Sequence, residues 1–173
     1  MELSEVMIKR RSIRSYDSET EISEAQVDEI LNAGISAPTA GNVQCWRFVV
    51  VRDEKLRKAL SIKAGHQKFI GDTPVIIVVC ADTSEIVERF GVRGASLYAI
   101  QDTAAAIQNM LLKITELGLA SCWIGAFDEK QAAEILSLDE NIRPLAMLPV
   151  GKAKNAELKI LPKKLLNEIV IRK

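Results

Sequence analysis

Strand-like and helix-like patterns alternate along this 173-residue chain, and the alternation by itself predicts one domain whose helices cover both faces of a parallel β-sheet. Two further observations support a sheet-centred fold. Pro74 to Ala81 is apolar on both faces, as a central strand requires. Ala95 to Leu117 carries apolar residues nearly all round a helix, as a segment in the core or in a subunit interface would.

The elements follow in order. Ser23-Glu24-Ala25-Gln26 is a capping box, and Ile22 and Val27 stand where a hydrophobic staple forms. A helix from Glu24 to Ala33 should bury Val27, Ile30 and Leu31. Ser36 to Cys45, with Pro, Gly and Asn, reads as a loop. Trp46 to Val51 has the β-branched and aromatic content of a strand, and Asp53 to Ala64 shows helical spacing at Leu56, Ala59 and Leu60. Gly118 ends the long helix. Ala120 to Phe127 returns to strand character, Asp128 caps a helix through Leu136, and Pro144 to Val150 is a last strand ending at Gly151. Lys152 to Lys173 is a basic tail with no core pattern of its own, suited to wrapping over a partner subunit.

Bulk composition excludes several classes. Lysine plus arginine number 23 and acidic residues 23, so no general field draws nucleic acid or an anionic membrane. Three scattered cysteines and a single histidine make neither a metal cluster nor a disulfide framework, a pattern suited to a reducing cytoplasm. The amino terminus lacks an apolar leader and the longest apolar run, Val75 to Ala81, is far short of a bilayer crossing. A soluble cytoplasmic protein is expected.

Two stretches carry chemistry. In KRRSIRSY, Lys9 to Tyr16, Arg10 and Arg14 are four apart and would share a helical face, with the Ser12 hydroxyl between them. Guanidinium forks with a hydroxyl suit a bound phosphate; a solvated helix end would account for the same charges. In APTAGNVQCW, Ala37 to Trp46, the amides of Asn42 and Gln44 can both donate and accept toward a flat heterocycle such as a flavin's pyrimidine edge, although an ordinary turn has the same composition. His66, the sole histidine, cannot anchor a convincing Ser-His-Asp triad. Cys122 reads as packing, Trp123 as core or a cofactor wall, and GVRG at Gly91 to Gly94 is too short for a dinucleotide fingerprint.

In this order, RRSIR (Arg10 to Arg14), APTAGNVQCW, DTPVIIVV (Asp72 to Val79), AIQNMLLKITELGLASCWIGAF (Ala106 to Phe127), LPVG (Leu148 to Gly151) and PKKLLNEIV (Pro162 to Val170) resemble the nitroreductase family of FMN-dependent oxidoreductases over nearly the whole chain. The resemblance implies an α+β sandwich around a mostly antiparallel sheet, in place of the parallel one, as a single FMN-binding domain over residues 1–173. It implies a homodimer with the carboxy-terminal segment exchanged between subunits. It further implies that Arg10, Arg11, Ser12 and Arg14 hold the FMN phosphate and reach the ring, with Lys163 or Lys164 adding charge from the tail. Pro38, Thr39, Asn42 and Gln44 would come from the other subunit, the backbone of Ile124, Gly125 and Ala126 would run along the isoalloxazine, and Gln67 or His66 would touch its polar edge. Two departures stand out: relatives usually have proline at Cys45, and commonly an aromatic at Lys152.

Because FMN itself accepts and donates hydride, no catalytic nucleophile or strong acid is expected of the chain. The implied activity is a ping-pong transfer from NAD(P)H through FMN to a nitroaromatic, quinone or similar small acceptor, with Arg14 or Lys163 as candidate cations near the flavin's N1 edge. A non-catalytic FMN-binding carrier is the alternative. A colourless phosphate-ligand enzyme such as a nucleotide transferase is a third reading, disfavoured because neither a Gly-rich phosphate loop nor paired carboxylates accompany the arginines.

Overall fold

A computed structural model describes residues 1–154 and 162–173. Its centre is strand β3, Val75–Asp82, which is buried along its whole length. Side chains alternate along a strand, so Val75, Ile77 and Val79 enter one core with Ile30, Ile107, Met110 and Leu148. Ile76, Val78 and Cys80 enter another with Leu60, Ile70, Ala132 and Met147. The apolar run Pro74 to Ala81 therefore reflects helices on both faces.

The rest of the chain supplies those layers. Helices α1 (Leu3–Lys9), α2 (Glu24–Ile35) and α5 (Ala99–Glu116) close the first face. Helix α3 (Glu54–Ala59), a π-helical turn over Leu60–Ala64, and α6 (Glu129–Leu136) close the second. Both arms of the expected capping box start α2: the Gln26 N–H donates to Ser23 Oγ at 3.2 Å, and the Ser23 N–H donates to Gln26 Oε1 at 3.0 Å. Asp128 caps α6 by accepting the Gln131 N–H at 3.0 Å. Helix α4, Thr83–Arg93, follows an Asp82 cap and was not legible in the sequence pattern.

Strands β1 (Tyr16–Asp17), β2 (Trp46–Val51), β4 (Ala120–Ser121) and β5 (Ile142–Ala153) complete the sheet. Its order is β1-β5-β3-β2, with β4 also on β5, and every ladder is antiparallel. The fold is α+β, and the parallel arrangement suggested by alternation alone is overturned.

The strand expected over Ala120 to Phe127 is also corrected. Only Ala120–Ser121 forms a ladder with β5, and pairing resumes as a single bridge at Ile124, opposite Met147. One register joins Ser121↔Val150 to Ile124↔Met147, which places Cys122 opposite Pro149. Met147 donates its N–H to Ile124, so the same edge at position 149 needs a donor that proline lacks. The extended run is interrupted there.

Lys152 and Ala153 belong to β5, opposite Asp17 and Tyr16, so the tail proper begins later than expected. Residues 155–161 lie outside the described residues. Pro162–Lys173 is exposed throughout and includes a short helix α7, Leu166–Ile169.

Candidate functional site

The basic segment leaves its helix sooner than the spacing suggests. Helix α1 ends at Lys9, and Arg10 has the extended ψ of 125°. The helical face predicted for Arg10 and Arg14 is therefore wrong. Instead the chain runs extended: Ser12 bridges Ser121, the Ile13 N–H donates to Ser121 O at 3.0 Å, and the Tyr16 hydroxyl donates to Ile13 O at 2.6 Å. Alternation along an extended chain still sets Arg10, Ser12 and Arg14 on one side.

Arg11 departs from them. Its guanidinium turns back onto the end of α1, donating to Ile8 O, a free carbonyl of that helix, and, at 2.8 Å, to Arg10 O just beyond it. Among the described residues no carboxylate lies within ion-pair distance of Arg10 or Arg14, the ion pairs being made by other cations. Two guanidinium groups and a hydroxyl thus stand unneutralised on one strip.

Ser121 leads into the small-residue run. Ile124 is buried and its N–H and C=O both pair with Met147 at 3.0 Å, while Gly125 and Ala126 are exposed. A side chain placed at Gly125 would meet nothing within 4 Å, so a planar ligand has open access to this backbone. The Asp128 N–H then donates to Ala64 O at 3.0 Å, which brings in the turn before His66 and Gln67. His66 is exposed with a φ of 51°. The backbone of Gln67 is tied to Ser61 in both directions, by the Gln67 N–H to Ser61 O at 3.0 Å and by Ser61 Oγ to Gln67 O at 3.0 Å. Hydrogen bonds thus connect the Ser12 segment, through Ser121, with the small-residue run and the Gln67 turn; Ser121 stands at the Val75 end of the sheet, while Ile124 sits beside Met147, opposite Val78 in mid-strand.

Pro38, Thr39, Asn42 and Gln44 are at the other end. Ser121, Val150 and Val75 line up across the sheet at the first end; Trp46, Ala81 and Arg143 line up at the second. With a rise of about 3.3 Å per residue, the Val75 and Ala81 ends of β3 stand about 20 Å apart. The Ser12 strip and the Pro38 to Gln44 loop therefore stand at opposite ends of the sheet within one chain.

The second loop is tightly specified. Gly41, Asn42 and Gln44 have φ of 55°, 57° and 56°, in the left-handed region. Thr39 Oγ1 accepts the Gln44 N–H at 3.2 Å, and the Arg89 guanidinium donates to Gly41 O. Beneath the loop lies Asp102, from the first turn of α5 and only 6% exposed, whose carboxylate accepts the Ala40 N–H at 3.0 and 3.2 Å. Cys45 Sγ is 3.8 Å from Asp102 Oδ2. Burial raises the Asp102 pKa, and burial with the neighbouring Asp102 charge pushes the Cys45 thiol up to about 11. Neither Asp102 nor Arg89 was anticipated from sequence; an acid just before the Ala104 to Ala106 run of the long helix was the signal available.

Lys163 and Lys164 are exposed in the segment before α7, and no hydrogen bond or ion pair among the described residues joins them to the arginine strip. No helix among the described residues is long and apolar enough to cross a membrane.

Comparison with known proteins identifies the family and the fold. The model of the nitroreductase family matches residues 7–64 and 60–152. An inferred NADH dehydrogenase/NAD(P)H nitroreductase of Archaeoglobus fulgidus is 34% identical over 158 residues, covering 89% of this chain and 87% of its own length. The FMN reductase (NADPH) of Bacillus subtilis is 28% identical over 87% of this chain and 66% of its own. The structure of NfrA2 from B. megaterium superposes with a TM-score of 0.90 at 26% identity, covering 100% of this chain and 74% of that one. The protein with this unneutralised arginine strip and buried antiparallel sheet belongs to the nitroreductase family.

Proposed function

We propose that the chain is an NAD(P)H-dependent flavin oxidoreductase that uses FMN, passing reducing equivalents to a nitroaromatic, quinone or similar small acceptor as a homodimer. One observation carries this reading. The cationic strip and the amide-bearing loop lie at opposite ends of the sheet, so a second copy is what would bring the two together. The names of the relatives, an NAD(P)H nitroreductase and an FMN reductase among them, support the same reading.

The residues fit the cofactor. Arg10 and Arg14 would hold the phosphate as charge-assisted forks with the Ser12 hydroxyl between them. Arg11, tied to α1 in this fold, would act by holding the strip in place. Ile124, Gly125 and Ala126 leave room for the ring, Gln67 offers an amide from its edge, and Pro38, Thr39, Asn42 and Gln44 of the second copy would close over it. Lys163 and Lys164 would add charge from the tail. FMN, when bound, supplies the hydride chemistry; the chain's residues bind, orient and shield it.

Purified protein should be yellow and should bleach within the dead time or the first seconds of anaerobic mixing with NADH or NADPH in a stopped-flow instrument. Steady-state plots should show the parallel lines of a ping-pong cycle. Bleaching no faster than that of free FMN would make the protein a flavin carrier, and protein that takes up no FMN would end the reading altogether.

A further inference from the structure

We propose that Asp102 is a positioning residue for the flavin-contacting loop, holding through Ala40 and Cys45 the turn that carries Pro38, Thr39, Asn42 and Gln44 toward a cofactor bound by the other copy. The inference rests on the flavin reading above and adds a residue that touches no cofactor.

A buried carboxylate ordinarily finds a cation or several donors. Asp102 has neither: among the described residues no lysine, arginine or histidine pairs with it, and no N–H of its own helix donates to it. Both of its oxygens are spent on one loop, on the Ala40 N–H at 3.0 and 3.2 Å and near the Cys45 thiol at 3.8 Å. These two contacts bracket the segment in which Asn42 and Gln44, neither of them glycine, adopt left-handed backbone. Such conformations persist only where the surroundings over-determine them. Arg89 supplies a tether from the other side, on Gly41 O, and a Cβ at Gly41 would come within 2.9 Å of both Arg89 and Phe90 side-chain atoms. The loop is therefore held from beneath and from above, while Pro38, Asn42 and Gln44 stay exposed for contact with something else.

The test compares Asp102→Asn with Ala40→Pro and with the double variant, all in the full chain. Proline at position 40 removes the one N–H that Asp102 accepts. It leaves the local backbone intact, because Ala40 opens a three-ten turn and Thr39, with φ of −132° and ψ of 156°, already has the conformation preferred before proline. Each single variant should raise the FMN dissociation constant at least about 10-fold, the loss of one charge-assisted contact at the loop, and should alter the visible circular dichroism of bound FMN. The double variant should be no worse than the weaker single, since both changes cut the same link. Unchanged affinity and dichroism in either single variant, or additive losses in the double, would overturn the positioning role. Wild-type protein is measured first: if it takes up no FMN, the flavin reading fails, whereas normal wild-type uptake with indifferent variants removes Asp102 alone.

Discussion

Replacing Arg10 by alanine should weaken FMN binding about 10- to 100-fold, the range expected when one charge-assisted hydrogen bond of about 1.5–3 kcal/mol is lost. Equilibrium titration of flavin fluorescence would measure it. The effect should be confined to binding. Arg10 stands just past the end of α1, is half-buried, and has no carboxylate partner among the described residues, so its removal strands no buried charge in the protein. Lysine at this position should recover part of the affinity, because it restores the charge without the two-pronged guanidinium geometry. The loss should also shrink as salt is raised, since a partly exposed cation is screened. Unaltered FMN retention would remove Arg10 from the site. A variant that failed to fold would make the arginine structural.

The second large effect concerns the sheet. Ile77→Ala should cost about 3–4 kcal/mol, within the range of about 2–5 kcal/mol for cutting a fully buried isoleucine to alanine. Ile77 is 0% exposed, lies between Val50 and Leu148 on neighbouring strands, and faces the core formed with α2 and α5. Both flanking strands are pinned by ladders and the helices above are closely packed, so the void cannot close easily. At about 2–4 °C per kcal/mol for a domain of this size, the melting temperature should fall by about 10 °C. Melts of both proteins at the same saturating FMN would test it. A loss below about 1 kcal/mol would mean that the face of β3 is less tightly closed than its burial indicates.

Local signals were readable before any coordinates. Ser23 and Gln26 lie within one turn of each other, and β3 announces itself by composition. What escaped depended on distant partners. The break after Ser121 comes from Pro149 on another strand, and nothing in ASCWIGAF reports which residue will stand opposite. Helix α4 was hidden because its cap, Asp82, also ends β3. The arginine strip is an instructive error. A separation of four residues places two side chains together on a helix, and also on an extended chain, because four is even. Arg10, Ser12 and Arg14 therefore still share a side on the corrected backbone, while Arg11 faces away from them. Asp102 stayed unseen because its meaning lies in Ala40 and Cys45, far away in sequence.

The separation of the two half-sites across the sheet carries a genetic corollary. A subunit changed at Arg10 and a subunit changed at Asp102 should each bind FMN weakly as pure populations, yet a mixed pair would contain one pocket assembled wholly from unchanged halves. Unfolding and refolding the two proteins together should restore about a quarter of the pockets, as random pairing under two-fold symmetry requires. Function would then be rescued by cross-complementation between broken alleles.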